Sequence, residues 1–409
     1  MSYFNTVRFA DTTNFDAFGR LRVATPAPLF DNMGEYGNNT YLWESSVVST
    51  GALSNVANNC AVRLSTGGTT NTASCIRQTR AYHRYQPGNS LNIETTFVMS
   101  AAQTNAVASI GYFDDSNGLF FQRSGSTLNI VRRTNVTGTP VDTTVAQSSW
   151  NVDKLDGTGV SGKTLDVTKA QLLFIQLQFL GVGRAQVGFV IDGIPYVAHQ
   201  FLNANSLSTV YMSTGCLPVR GQVTNVGTAG GTITMDMFGT SVSSGGKGFD
   251  HLDWYRSTAI AGVSTSTTLI PLISIRAATL LGGTSGGGSI TNRGHIRPTD
   301  ISILGATQAH EYQFILNGTL TGASWAAHNT ASIADYDVTA SAISGGTVIA
   351  GGYIASGTGA SRIETSRHFD AHPMVYTGLL GTQDTISICA KTLTGSGTCN
   401  AAINWIEEY

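Results

Sequence analysis

Apolar and polar side chains alternate with a period of two along several stretches of this chain, and the run from Gln171 to Phe201 is the clearest. Ile175, Leu177 and Phe179 fall on one side, with Gln176 and Gln178 on the other. That is the pattern of a half-buried strand. Gly181-Val182-Gly183 then breaks the run, and Val187, Phe189 and Ile191 alternate with Gln186, Gly188 and Val190. Asp192-Gly193 is a favoured two-residue hairpin turn. Pro195 stands at the start of the next strand, Tyr196 to Phe201, where a missing N–H is tolerated. The pattern predicts a three-stranded antiparallel meander over residues 171–201.

Other segments read as strands: Leu91 to Val98, Thr232 to Phe238, Leu269 to Ile275, Gln313 to Leu316 and Thr385 to Ala390. Pro271 places the third of these regions at a sheet edge. Asn317-Gly318 is a second hairpin signal. Thr394-Gly395-Ser396-Gly397 predicts a last hairpin into Ala401 to Tyr409, where Ile403 and Trp405 alternate with Asn404 and Ile406. Pro26 and Pro28 argue against a helix or central strand near the start. Residues 1–45 therefore read as an arm with apolar anchors, docked on its own domain or on a neighbouring subunit. A β domain over 46–255 and a second over 256–409 follow. No repeat of 20–50 residues and no heptad pattern appears, so solenoids, propellers and coiled-coil shafts are not expected. The expected fold is all-β: antiparallel β-sandwich or jelly-roll units, two of them, behind an extended N-terminal arm.

Composition sharpens this picture. Hydrophobic residues make up 41% of the 409, enough for a sizeable core, and glycine occurs 47 times. Charged residues are 12%, roughly half the usual share of about 25%. Ser, Thr, Asn and Gly take their place, as suits short strands joined by polar turns. With a net charge of -2 there is no electrostatic footprint for duplex nucleic acid. The same neutrality permits copies of the chain to pack together. No run of ~18 apolar residues is present, so membrane insertion is not expected, and the start has no secretory pattern. A chain made in the cytoplasm follows. The five cysteines show no metal-type spacing and read as buried thiols, although a Cys389–Cys399 bridge across the last hairpin stays open.

The chemical motifs are weak. Gly157-Thr158-Gly159-Val160-Ser161-Gly162-Lys163-Thr164 fits the P-loop pattern at every position. A P-loop needs a buried strand before it and a helix N-terminus after it. Here a polar segment precedes it and a strand follows, so it reads as a glycine-rich turn. His368 and His372 have i, i+4 spacing, but Pro373 opposes a helix. Asp335-Tyr336-Asp337 lacks the rest of a calcium loop. Asp114-Asp115, Asp153 with Asp156, Asp250 with Asp253, and Asp335 with Asp337 are carboxylate pairs of a kind glycoside hydrolysis uses. Such pairs are commonest in turns, where Asp bonds its own backbone. No catalytic residue, cofactor or metal ligand is assigned, and an enzyme is not expected. The aromatic segments Tyr82-His83-Arg84-Tyr85 and Asp253-Trp254-Tyr255-Arg256 offer sugar-stacking faces, with Trp254 and Tyr255 the chosen glycan contacts.

Two stretches carry a family resemblance. One is Phe15-Asp16-Ala17-Phe18-Gly19-Arg20-Leu21-Arg22-Val23. The other runs from Trp150 to Arg220 and holds Asp153-Lys154-Leu155-Asp156-Gly157, Thr168-Lys169-Ala170-Gln171, Leu180-Gly181-Val182-Gly183-Arg184, Val190-Ile191-Asp192-Gly193, Tyr211-Met212-Ser213-Thr214 and Leu217-Pro218-Val219-Arg220. Together they resemble a family of virion structural proteins from tailed bacteriophages and some large algal DNA viruses. The resemblance covers the first 250 residues or so and brings no catalytic residues with it. It implies a virion component, tail-associated as a fibre, spike or adaptor, with capsid decoration as the alternative. A carbohydrate-binding or depolymerising β-sandwich used in host recognition is the other alternative. The expected partners are further copies of the chain (a trimer, by analogy with viral β proteins), other virion proteins and a host surface glycan. Phe15, Phe18, Arg20 and Arg22 are the expected assembly contacts of the arm.

Overall fold

The structure, a computed structural model, describes residues 26–246, 254–283, 289–357 and 373–409, together with the backbone of 361–364. The chain divides into two compact units, Met1–Phe249 and Asp250–Tyr409. Both are built of antiparallel strands, and each is a β-sandwich.

The first unit holds β1 (Ala27–Met33), β2 (Trp43–Val48), β3 (Ala52–Val56), β4 (Ala61–Ser65), β5 (Ser74–Thr79), β6 (Leu91–Met99), β7 (Ala106–Phe113), β8 (Gly118–Ser124), β9 (Thr127–Thr134), β10 (Val141–Ala146), β11 (Gln171–Leu177), β12 (Ala185–Ile191), β13 (Ile194–Phe201), β14 (Val219–Asn225) and β15 (Thr234–Ser244). One sheet has the order β13-β12-β11-β6-β15-β4-β3, with β1 also paired to β15; the other has the order β10-β9-β8-β7-β14-β5-β2. Alternate residues of both sheets meet in one core. Leu173, Ile175 and Leu177 of β11 and Val187 and Phe189 of β12 lie in it with Ile110 and Tyr112 of β7 and Leu119 and Phe121 of β8. The Phe121 ring sits 5.2 Å from Phe189 and 5.9 Å from Phe97.

The expected meander is present as β11, β12 and β13, with Ile191 opposite Ile194. Asp192 and Gly193 both have positive φ, 54° and 76°, the backbone that a tight hairpin needs. Gly183 is constrained more severely, because a Cβ there would stand 2.0 Å from the carbonyl oxygen of Gln178. The segment 1–45 is not uniform. Residues 1–25 lie outside the described residues, whereas β1 adds to β15 and β2 pairs with β5.

The second unit holds β16 (Trp254–Thr265), β17 (Ile270–Ala277), β18 (His295–Gly305), β19 (His310–Leu316), β20 (Thr319–Thr321), β21 (Ala326–Ala327), β22 (Ala334–Asp337), β23 (Ala342–Ser344), β24 (Thr347–Ile354), β25 (Ser361–Glu364), β26 (Thr385–Thr392) and β27 (Gly397–Glu408). A four-stranded sheet runs β16-β27-β18-β25 and a six-stranded sheet runs β21-β22-β17-β26-β19-β24; β20 and β23 form a separate ribbon. Ile273 and Ile275, Ile301 and Ile303, Ile386 and Ile388, and Trp405 fill the core between the sheets.

Three expectations are corrected here. β17 is central, between β22 and β26, although it contains Pro271. The proline lies opposite Cys389 of β26 at a register shift before Ile273, and β22 pairs only from Ser274 onward, so the β22 side does not call on its missing N–H. Asn317 has φ 55° but does not close a hairpin: β19 pairs with β24 and β26, and β20 pairs with β23. The turn at 394–397 does not make a hairpin either, because β26 and β27 belong to different sheets. The Cys389–Cys399 bridge therefore loses its premise. Both thiols are free, and burial pushes them up to about 12 and about 11. Among the described residues no helix is long and apolar enough to cross a membrane.

The core of the first unit is the main source of its stability. Phe121→Ala is expected to cost about 3–5 kcal/mol, measurable as a lower urea midpoint with an unchanged slope.

Candidate functional site

The P-loop-like segment forms a short closed loop. The N–H of Gly157 donates to the Lys163 carbonyl, and that of Gly162 donates to the Gly159 carbonyl. The Lys163 ammonium lies 2.9 Å from Asp192 Oδ2, on the hairpin turn of the meander. Asp153 closes the loop from beneath, accepting from the N–H of Leu155 through Oδ1 and from that of Ser161 through Oδ2. The glycines thus serve a turn, and the lysine is engaged by a carboxylate.

The other acidic pairs are committed in the same manner. Asp114 Oδ1 accepts from the N–H groups of Ser116 and Asn117. Asp115 pairs with the buried Arg220. Asp156 Oδ1 accepts from both the N–H and the hydroxyl of Thr158, which holds its carboxyl below the usual range. Asp335 is held by Arg276 at 3.0 Å. Asp337 accepts from the N–H groups of Ser324, Thr339 and Ala340 and from the Thr339 hydroxyl. These carboxylates organise turns and ion pairs, the use that Asp most often finds in β proteins. Asp250 and Asp253 lie outside the described residues, as do Phe15, Phe18, Arg20, Arg22, His368 and His372. No cluster of three potential metal ligands occurs among the described residues.

The aromatic candidates separate. Tyr82 and Tyr85 are buried, and the Tyr85 ring packs edge-on against Phe179 at 5.7 Å. They offer no stacking face, which corrects the sugar reading for that segment. Trp254 and Tyr255 open β16 and are 52% and 72% exposed. The Arg256 guanidinium lies 5.5 Å from the Trp254 ring centroid. Farther along the same sheet, Ala259, Ala402, Ser302, Leu304 and Asn400 line a shallow concavity of about 380 Å³.

Several polar networks had no signature in the sequence. Gln78 joins Glu44 to Arg220: its Nε2 donates to Glu44 Oε1 at 3.1 Å, and its Oε1 accepts from Arg220 Nε at 2.7 Å. Arg220 also lies 5.5 Å from the Phe113 ring. Gln200, Gln186 and Gln176 form an amide ladder across β13, β12 and β11. Arg77 is buried over the Trp43 ring, 3.8 Å from its centroid, with Nε on Asn38 Oδ1. Burial holds that guanidinium down to about 9. Strand register brings Glu44, Gln78 and Arg220 together across the chain and stacks the glutamines of the meander, while a loop brings Asn38 to Arg77.

Comparison with known proteins adds little. No protein-family model and no curated protein matches the chain. Among solved structures, the binding domain of botulinum neurotoxin serotype D/C is 10% identical, with a TM-score of 0.33 over 53% of this chain and 48% of that one. This chain thus spans about half the length of that domain. The Emp47p carbohydrate recognition domain is 12% identical, with a TM-score of 0.33 over 54% of this chain and 97% of that one. A glycoside hydrolase family protein from Mycobacterium thermorestibile is 12% identical, with a TM-score of 0.38 over 52% and 99% of the two chains. Likeness at this level establishes neither a common fold nor a common activity.

His199 supplies a pH test. It is buried against Phe201, its Nδ1 accepts from the N–H of Asn151, and burial lowers its pKa. An unfolded histidine titrates near ~6.5, so protons bind the unfolded chain more readily. The contribution is full above that value and is lost as pH falls through the lower folded pKa. The melting temperature should drop between about pH 7 and pH 5, and less so in His199→Gln. An equal drop in both proteins would remove His199 from the account.

Proposed function

We propose that this chain is a structural component of a bacteriophage-type virion, tail-associated, and built to pack through its β domains. The observation that supports it is the use made of the residues that carry the family resemblance. Asp153 closes a loop, Gly183 permits a close backbone approach, Asp192-Gly193 turns a hairpin and Arg220 anchors a buried network. These residues maintain a scaffold, as a family defined by its architecture would require. Few charges and open strand edges suit repeated packing. Capsid decoration is the variant of the same reading.

The arm is expected to act at assembly. Removing residues 1–25, which spares β1, should leave a chain of unchanged melting temperature that is missing from purified particles. If the full-length chain itself is missing from particles of the virus that encodes it, the virion reading fails.

A second reading, glycan binding in host recognition, has its own support in the exposed Trp254 and Tyr255 beside Arg256. Exposed aromatic faces can stack on sugar rings. Retention on host surface polysaccharide should fall at least about tenfold, ~1.4 kcal/mol, in Trp254→Ala/Tyr255→Ala. No retention of the wild-type chain would dispose of this reading.

A further inference from the structure

We infer that β24 is a self-complementary edge that joins two copies of this chain by antiparallel pairing about a two-fold axis at Gly351. The inference rests on the assembly reading and names the contact. β24 ends the six-stranded sheet. Among the described residues, Thr347–Ile354 hydrogen-bond only along β19. Among the described residues no strand pairs with its other side, which makes that side a template for another strand.

Natural edges are usually blunted by charge, proline or a cap. Several other edges here follow that rule, although the short β3 (Ala52–Val56) does not. β13 has Pro195, β10 has Asp142, and the Ser257 carbonyl of β16 accepts from His328 Nε2. β24 reads Thr-Val-Ile-Ala-Gly-Gly-Tyr-Ile, with no charge and no proline. Two copies brought edge to edge meet no like charge. The nearby Glu311 and Lys391 neutralise each other at 3.1 Å.

The register supplies the reason for a second copy as occupant. Glu311, Gln313 and Ile315 are alternate residues of β19 and share one face. Their partners on β24 are Tyr353, Gly351 and Val348, because the strand bulges between Ala350 and Val348. Cross-strand partners lie on the same face. The bulge thus sets Tyr353 and Val348 on one face, each two β19 positions from Gly351. An antiparallel copy rotated about Gly351 places each Tyr353 beside the other's Val348. An aromatic beside a β-branched residue is a favourable cross-strand pair. These are the two large exposed side chains of the strand, 72% and 54% exposed. The glycines Gly351 and Gly352 allow the close backbone approach at the centre.

The test uses the full chain with single substitutions, Val348→Cys and Tyr353→Cys, under mild oxidation. The contact predicts disulfide-linked dimers when the two variants are mixed, and only wild-type background from either alone, since neither position faces itself. Tyr353→Lys should abolish self-association in sedimentation velocity. No excess linkage in the mixture, or equal linkage in each variant alone, overturns the β24 contact. If the chain still self-associates in that case, assembly uses another surface and the virion reading stands without this contact. If the wild-type chain is monomeric at every concentration and no mixture cross-links, the contact is overturned outright.

Discussion

Lateral backbone pairing is the constraint on which everything else in this protein depends. In a chain built of strands, most backbone N–H and C=O groups find their partners on a neighbouring strand, and the turns find theirs in side chains and loop carbonyls. Sheets then acquire a buried face, and alternate side chains must be apolar to fill it. The first unit meets this with Leu173, Ile175 and Leu177 set against Ile110 and Tyr112, and the second with its isoleucine rows and Trp405. What the arrangement leaves over is edges. The chemistry of those edges, more than any cleft, distinguishes one surface of the protein from another.

Charge plays a supporting role. Ionised side chains are few, and those that are buried are tied into the frame. Arg220 reaches Asp115 and Gln78, Arg276 holds Asp335, and Glu407 accepts from the Ser332 hydroxyl and the Trp405 indole. A buried charge without such partners would cost several kcal/mol, on the order of 3–5 when one member of a pair is removed. Carboxylates used in this way are not free to act on a substrate. The same economy of charge leaves the chain with a net charge of only -2, and low net charge lets like surfaces approach.

Much of this was legible in the sequence where the signal is local. The meander from Gln171 to Phe201 rests on alternation and on one Asp-Gly turn, both properties of neighbouring residues. The readings that went astray concerned partners distant in the chain. Pro271 suggested an edge because the bulge beside it is visible only once β26 lies alongside. The glycine turn at 394–397 suggested a hairpin, yet β26 and β27 part into different sheets. The P-loop pattern read as a glycine-rich turn from its flanking segments, and residues 157–164 do form a closed turn. Of the aromatic candidates, Trp254 and Tyr255 are exposed while Tyr82 is buried, a difference that periodicity alone did not carry. The β24 bulge, which aligns Tyr353 with Val348, likewise has no signature short of the register itself.

The central claim is that this is a building block whose neutral β surfaces serve assembly. A cryo-EM reconstruction of the intact particle tests it most directly. The account predicts several ordered copies at the tail, in contact through their β units. A particle resolved throughout, with no density for either unit of the chain, would contradict it.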